Sequence, residues 1–231
     1  LPFAEYNTIM QSRYIGSALH EGSFWRSEAR SGGAMERTTG FDHVTLCVDD
    51  LEVGEFLFAK ILGFEVIWSA KDVGSETSSM DTVVVQRGSA KIALMQGRDK
   101  TGKSQINEFI EKYGQGVQHV ALEVDDIEAV CREWEEHGVK FSGPVKEGRD
   151  GFGPLKQRFT YPLFPHSGLF IELTQRQHGD EAARTFVRST VESLYQDIER
   201  DQKSGVEKTI IDYDSSSGPE PKQKKSLKKA S

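Results

Sequence analysis

Two segments of the chain alternate apolar and other residues in almost the same order. They read His43-Val-Thr-Leu-Cys-Val-Asp-Asp50 and His119-Val-Ala-Leu-Glu-Val-Asp-Asp126, and each runs into a helix-like stretch. Alternation over this length predicts a half-buried strand. A string found twice indicates that one strand–helix unit has been duplicated, with a histidine at the same place in each copy.

The segments that follow each string repeat one order of elements, a strand, a helix and three further strands. In the first unit these are predicted at residues 41–48, 51–62, 64–69, 81–87 and 90–95. In the second unit they are predicted at 117–124, 126–137, 139–142, 155–161 and 168–174, with a Gly/Pro-rich loop at 143–154. A helix at 105–113 links the units. We therefore expect an α+β fold of paired βαβββ modules, residues 41–96 and 117–175, within one domain at 41–176.

The two ends of the chain have different patterns from the repeated units. Residues 1–40 are weakly patterned and are interpreted as an N-terminal extension. Apolar residues recur at helical spacing between Phe186 and Ile198, which predicts a C-terminal helix within residues 177–202. Residues 203–231 are poor in apolar side chains and rich in lysine, so we expect a disordered tail there.

Composition excludes several classes of partner. The chain has 231 residues with a formal net charge of −7, which gives little support to nucleic-acid binding. No apolar run approaches the roughly 18 residues of a membrane helix, so no membrane partner is expected. The two cysteines, Cys47 and Cys131, do not form a disulfide framework, which favours a reducing, cytoplasmic setting.

The two repeated histidines need a third ligand to bind a transition metal well. Glu172 is the charged residue of the otherwise apolar strand Gly168–Thr174, where an ionised side chain is costly unless it is paired or ligates a cation. A single strand histidine is more often a hydrogen-bonded core residue, and a single strand glutamate often points to solvent. Three such residues at matching places of a duplicated fold favour a metal site. Two histidines and one carboxylate form the facial triad of non-haem Fe(II) oxygenases.

A duplicated site has a fourth place, which is the equivalent of Glu172 in the first unit. Aligning Ala90–Leu94 with Gly168–Glu172 puts Leu94 there. Leucine cannot ligate, so the predicted site keeps open positions for a bidentate substrate and O2.

The repeat with His43, His119 and Glu172 resembles the vicinal oxygen chelate, or glyoxalase-like, superfamily. Four further motifs closely resemble the catalytic domain of the family of 4-hydroxyphenylpyruvate dioxygenase and 4-hydroxymandelate synthase. They are Lys103-Ser-Gln-Ile-Asn-Glu-Phe109, Gly116-Val-Gln-His-Val-Ala-Leu122, Gln157-Arg-Phe-Thr160 and Leu169-Phe-Ile-Glu-Leu-Thr-Gln-Arg176. The similarity covers about residues 41–202.

The resemblance implies a function and a set of site residues. It implies Fe(II) held by His43, His119 and Glu172, and a dioxygenase that couples decarboxylation of a 2-oxo acid to hydroxylation of the same molecule. The expected partners are a small-molecule 2-oxo acid and O2, and a homodimer is left open. The implied pocket residues are Gln105, Gln118 and Gln157 as oriented donors, Thr82 and Gln96 as polar positions, and Phe159 and Phe170 as aromatic walls.

Two departures from the family leave the substrate and some alternatives open. Only 40 dissimilar residues precede the repeat, where the family has a further domain, and His178–Arg184 replaces a glycine- and phenylalanine-rich segment that closes the pocket. The substrate's side chain therefore stays undetermined. The alternatives are an extradiol ring-cleaving dioxygenase, an epimerase of the methylmalonyl-CoA type, and a metal-free ligand-binding protein. The epimerase would need the fourth ligand that Leu94 cannot supply.

Overall fold

Eight strands form one mixed sheet in the computed structural model, which describes residues 37–149, 153–176, 186–203 and 208–212. The first module contains β1 (Thr38–Cys47), helix α1 (Leu51–Glu55) with a π-helical continuation (Phe56–Ile61), β2 (Glu65–Gly74), β3 (Ser78–Arg87) and β4 (Ala90–Asp99). Helix α2 (Gln105–Tyr113) links it to β5 (Gly116–Val124), α3 (Ile127–Glu136), β6 (Phe141–Arg149), β7 (Pro154–Thr160) and β8 (Phe170–Arg176). Helix α4 spans Arg188–Lys203.

The strand order shows that the two modules are joined side by side. It runs β2-β3-β4-β1-β5-β8-β7-β6, with β1 and β5 paired antiparallel at the centre. Within each module the first and last strands are parallel neighbours, β1 with β4 and β5 with β8. This arrangement confirms the predicted α+β fold of paired βαβββ modules.

The Asp pair at the end of each repeated string starts a helix. The Asp50 side chain accepts a hydrogen bond from Val53 N at 3.1 Å, and the Asp126 side chain accepts one from Ala129 N at 3.0 Å. Each aspartate thus satisfies a backbone donor that has no partner within the helix, which is the role of an N-cap. The duplicated sequence therefore begins α1 and α3 at equivalent places.

The two faces of the sheet bury different groups. Helix α3 buries Ile127, Val130 and Cys131 in one apolar cluster with Phe141 and Leu173. The opposite face of the sheet forms a trough that α4 covers, where Tyr195 packs against Met80 and Met95. Because side chains alternate along a strand, neighbouring residues of β4 and β8 contribute to opposite faces.

Two stretches differ from the sequence-based prediction. The loop predicted at 143–154 is strand β6 as far as Arg149, with a register shift between Ser142 and Lys146 that accommodates Gly143 at φ +72°. Part of the predicted disordered tail, residues 208–212, is held at the sheet, where Lys140 N donates to Ile210 O at 2.7 Å. Residues 1–36, 177–185, 204–207 and 213–231 of the predicted extension, helix and tail lie outside the described residues.

The two cysteines and the apolarity of the helices can be examined in the described part of the chain. Cys47 and Cys131 are both free and buried. Among the described residues, no helix combines the length and apolarity needed to cross a bilayer.

Candidate metal centre

Strand register brings the two repeated histidines and Glu172 onto one face of the sheet. Ala121 of β5 pairs with His43 of β1 on one side and with Glu172 of β8 on the other. Residues in one cross-strand row point to the same face, and His119, two residues before Ala121, points there too. The small side chain of Ala121 leaves space between the three larger ones, so all three functional groups converge in the trough.

The three side chains present one ligand atom each within 4.8 Å of one another, and all three residues are buried. Glu172 Oε2 lies 3.3 Å from His119 Nε2 and 3.6 Å from His43 Nε2. Metal–ligand bonds of about 2.0–2.2 Å place neighbouring ligands about 3 Å apart, so the two distances from Glu172 to the histidines are close to those around a bound transition-metal ion. Imidazole nitrogen and carboxylate oxygen are ligands that Fe(II) accepts.

The two oxygens of the Glu172 carboxylate have different surroundings. Oε1 accepts hydrogen bonds from Gln157 Nε2 at 2.5 Å and from Thr174 Oγ1 at 2.8 Å, while Oε2 faces the two histidines. Burial by itself would raise the pKa of Glu172, but the charge of His43 and the hydrogen bonds of His119 and Thr174 outweigh it and lower the pKa. The carboxylate is therefore held ionised, in the form that binds a cation.

The residue before each histidine holds that histidine's ring. Asp42 Oδ1 accepts from His43 Nδ1 at 2.7 Å, and Gln118 Oε1 accepts from His119 Nδ1 at 3.1 Å. A β-bulge between Phe41 and His43 brings the Asp42 side chain beside the ring. In a neutral imidazole, an acceptor at Nδ1 keeps the ring proton on that atom and leaves Nε2 with the lone pair, which is the form that binds metal.

Asp42 is itself held by a buried arginine. Arg176 donates to Asp42 Oδ2 from Nε at 2.6 Å and to Oδ1 from Nη2 at 3.1 Å. Lys91 Nζ lies 3.9 Å from the same carboxylate. Burial would raise the pKa of Asp42, but the hydrogen bonds from His43 and Arg176 hold that pKa well below its ordinary range. Asp42 is therefore an anion that anchors the ring of His43.

The fourth place of the duplicated site holds Ala93, and the prediction of Leu94 was wrong by one residue. Ala93 pairs with Thr45 in the parallel β1–β4 ladder, as Glu172 pairs with Ala121 in the β5–β8 ladder. Leu94 points to the other face and packs with Leu51 and Val83. A shift of one residue along a strand moves a side chain to the opposite face. Alanine also cannot ligate, so the three-ligand arrangement still stands.

A small cavity of about 60 Å³ lies beside the three side chains. Five of the predicted pocket residues line it: Thr82, Gln105, Gln118, Gln157 and Phe159. Phe170 does not line it, although its ring stacks on the His119 ring at 4.9 Å between centroids. Gln96 does not line this cavity, because its amide bonds the backbone of Asp49 and Leu51 at the start of α1.

Two of the predicted glutamines present acceptors rather than donors to the cavity. Gln157 Nε2 donates to Glu172, and Gln105 Nε2 donates to the backbone oxygen of Tyr195 at 3.4 Å. A carboxylate and a carbonyl only accept, so the amide oxygens must be the opposite ends. Among the described residues, these two oxygens, Gln105 Oε1 and Gln157 Oε1, are the buried side-chain polar atoms without a hydrogen-bond partner. A ligand that carries hydrogen-bond donors would satisfy them.

Sequence reasoning did not assign roles to Asp42, Thr174 or Phe186. The Phe186 ring lies 5.1 Å from the His43 ring and 5.7 Å from Trp68, and it closes one side of the cavity. Asp42 could have been found by extending the repeat one residue backwards, because it occupies the place of Gln118. Thr174 and Phe186 carry no comparable sequence signal.

Thr174→Val should weaken metal binding about tenfold while the protein stays folded. Valine has the shape of threonine but leaves Glu172 Oε1 with one hydrogen bond fewer, and groups that orient a ligand commonly contribute 10- to 100-fold in affinity. The measurement is anaerobic Fe(II) titration followed by calorimetry. Thr174→Ser is the matched control, since it keeps the hydroxyl; equal affinity of the valine variant and the wild type would exclude this role.

The sequence matches a family model and a group of curated proteins. Residues 42–154 match the model described as the glyoxalase/bleomycin resistance protein/dioxygenase superfamily. The 4-hydroxyphenylpyruvate dioxygenase of Yarrowia lipolytica is 30% identical over 200 residues, which cover 69% of this chain and 50% of that protein. The enzyme of the same name from Pseudomonas aeruginosa is 28% identical over 225 residues, covering 82% of this chain and 60% of that protein.

A solved structure agrees with these relatives. A triple mutant of 4-hydroxymandelate synthase from Streptomyces coelicolor superposes with a TM-score of 0.65 at 27% identity, covering 72% of this chain and 55% of that one. The chain thus spans about half the length of the relatives it matches. The fold, the matched residues and these relatives together show that the chain contains a domain of the glyoxalase, or vicinal oxygen chelate, superfamily.

Proposed function

We propose that the protein is an Fe(II)-dependent dioxygenase, similar to 4-hydroxyphenylpyruvate dioxygenase, that couples decarboxylation of a 2-oxo acid to hydroxylation of the same molecule. The observation that carries the proposal is the set of three buried ligand atoms of His43, His119 and Glu172, with alanine at the fourth place. A site with three protein ligands leaves positions open for a chelating substrate and O2. The names of the relatives support the same reaction class.

In this proposal the protein's own residues orient the ligands. Asp42 and Gln118 accept from the Nδ1 atoms of the two histidines, so both Nε2 atoms are directed at the trough. Gln157 and Thr174 hold one oxygen of Glu172 and leave the other for the metal. Bound Fe(II) would supply a Lewis acid, a template and a redox centre in one place.

Apolar side chains would keep water from the reacting atoms. Phe159 and Phe170 pack on the His119 ring, and Phe186 packs on the His43 ring. Helix α4 adds Val191 and Leu194 to the cavity lining. Exclusion of water protects a reactive oxidant from side reactions and strengthens the hydrogen bonds inside the site.

The amide oxygens of Gln105 and Gln157 bear on the choice of substrate. The head group of an ionised 2-oxo acid in its keto form offers only acceptors, so it cannot pair with these two oxygens. A substrate with a hydroxyl or amine donor elsewhere would pair with at least one of them. Among 2-oxo acids, we therefore expect hydroxylated members to be preferred over matched compounds without the hydroxyl.

The experiment is anaerobic reconstitution with Fe(II), followed by a screen of 2-oxo acids for O2 uptake coupled to CO2 release. Matched pairs such as 4-hydroxyphenylpyruvate and phenylpyruvate should differ in kcat/KM by about tenfold, because an unpaired buried acceptor costs about 1–3 kcal/mol. Protein loaded with Zn(II), which has no redox chemistry, is the control and should be inactive.

Other outcomes of the screen would select the alternatives. Cleavage of a catechol ring without CO2 release would replace the proposal with an extradiol dioxygenase. Exchange of a proton beside a thioester carbonyl without O2 uptake would point to the epimerase class. Failure of the protein to bind any divalent metal would leave the metal-free ligand-binding protein as the remaining alternative.

Whether the chain forms a homodimer stays a prediction.

A further inference from the structure

A second cavity of about 310 Å³ lies beside the metal-site cavity and is not part of it. It is formed by α2, by the segment between β7 and β8, and by residues 208–209. The two cavities share Gln118, Phe159 and Ile198 as a common wall. Its volume is at the lower end of the range of about 300–1,000 Å³ found for small-molecule sites, about five times that of the metal-site cavity.

The walls of this cavity are aromatic and closely packed. They include Phe109, Tyr113, Tyr161 and Phe164, and Phe109 and Tyr113 lie 5.2 Å apart between ring centroids. A Cβ atom added at Gly168 would lie 2.3 Å from the Phe109 ring and 2.6 Å from the Tyr113 ring, so the rings can approach the backbone only because a glycine is there. Flat aromatic walls favour a flat aromatic ligand.

Two lysines give the cavity its charge. Lys112 of α2 and Lys208 both line it, and Lys208 Nζ donates to Tyr161 Oη at 3.0 Å. Each ammonium group also lies about 5 Å from a tyrosine ring centroid, Lys112 over Tyr113 at 5.0 Å and Lys208 over Tyr161 at 4.9 Å. Among the described lining residues, Glu108 is the one acidic residue, so basic groups outnumber acidic ones there. The net positive electrostatic potential of these groups favours binding of an anion.

The geometry points to a second small-molecule site in this cavity, one that binds an aromatic carboxylate with its ring between the aromatic walls and its anion at Lys112 and Lys208. The site does not need a metal, because none of its lining residues is His43, His119 or Glu172. Its position against Gln118 and Phe159, which contact His119, places a bound ligand next to the metal centre without entering it.

The test uses 1-naphthoate as the probe and the metal-free full chain as the protein. Quenching of intrinsic fluorescence should show one saturable site, and the neutral 1-naphthamide should bind at least about tenfold more weakly. Lys112→Gln with Lys208→Gln should weaken naphthoate binding about tenfold, since two charge-assisted contacts are lost. Lys60→Gln with Lys71→Gln removes the same charge from exposed positions and should leave the affinity unchanged.

Two further variants locate the probe and separate this site from the proposed metal site. Phe164→Ala, at an exposed wall residue, should weaken binding without affecting folding. Glu172→Gln should leave naphthoate affinity unchanged. Binding that is lost in Glu172→Gln, or that needs added metal, would overturn the second site and leave the proposed dioxygenase intact. Naphthoate binding by a protein that takes up no iron would support the second site and overturn the proposed dioxygenase.

Discussion

Glu172→Gln should remove tight metal binding while the protein stays folded. The substitution replaces an anionic ligand atom by an amide and keeps the side chain's volume. The amide oxygen can still accept from Gln157 and Thr174, and the amide nitrogen can donate to a histidine Nε2 atom. We expect at least about a hundredfold loss of Fe(II) affinity, measured by anaerobic calorimetry and by the iron content of reconstituted protein.

The thermal stability of the metal-free variant separates a ligand from a structural residue. Because the surroundings of Glu172 lower its pKa, the ionised side chain adds stability at neutral pH, so metal-free Glu172→Gln should still unfold cooperatively but at a moderately lower temperature than the metal-free wild type. Glu136→Gln on the exposed side of α3 is the matched control and should change neither the iron content nor the thermal stability. Wild-type iron content in Glu172→Gln would exclude Glu172 as a ligand.

Arg176→Met should lower the free energy of unfolding by about 3–5 kcal/mol. Asp42 and Arg176 are both almost fully buried, and removal of the arginine leaves the Asp42 carboxylate without its two charged hydrogen bonds. Lys91, at 3.9 Å, compensates only in part. Denaturant unfolding at neutral pH measures the loss.

A double variant tests whether the unpaired carboxylate causes that loss. Asp42→Asn with Arg176→Met removes both charges and should recover much of the stability, because no ion is then left buried alone. Arg200→Met is the control for removal of an arginine: its side chain is 62% exposed and Asp197 keeps Lys146 at 2.8 Å, so the loss should be below about 1 kcal/mol. Equal losses in Arg176→Met and the double variant would show that side-chain packing, not charge, dominates.

The local order of elements could be predicted from the sequence because it depends on near neighbours. The alternation in each repeated string defines β1 and β5, and the Asp pair after it starts α1 and α3. Glycine residues at 143 and 148 and Pro144 suggested a loop, yet tertiary pairing with β7 makes most of that stretch a strand. Pairing with a distant partner outweighs the weak local preference of a few residues.

The candidate site was predictable where the duplication repeats it. His43 and His119 occupy the same place in two copies, and Glu172 stands out as a charge in an apolar strand. The fourth place was mispredicted because strand register decides which of two neighbouring residues, Ala93 or Leu94, faces the trough. Register depends on the partner strand, and the sequence of one strand does not contain it.

The sequence by itself determined the duplicated βαβββ order, the positions of the two histidines and the helix starts, since each depends on residues within a few places of one another. The tertiary structure alone decided the contacts between distant residues, such as Arg176 with Asp42. It also decided the orientation of the Gln157 amide, because the Glu172 carboxylate beside it accepts only from an N–H group. Hydrogen-bond direction and strand register are set by partners that the folded chain brings together, which is why the chemistry of this trough had to be read from the fold.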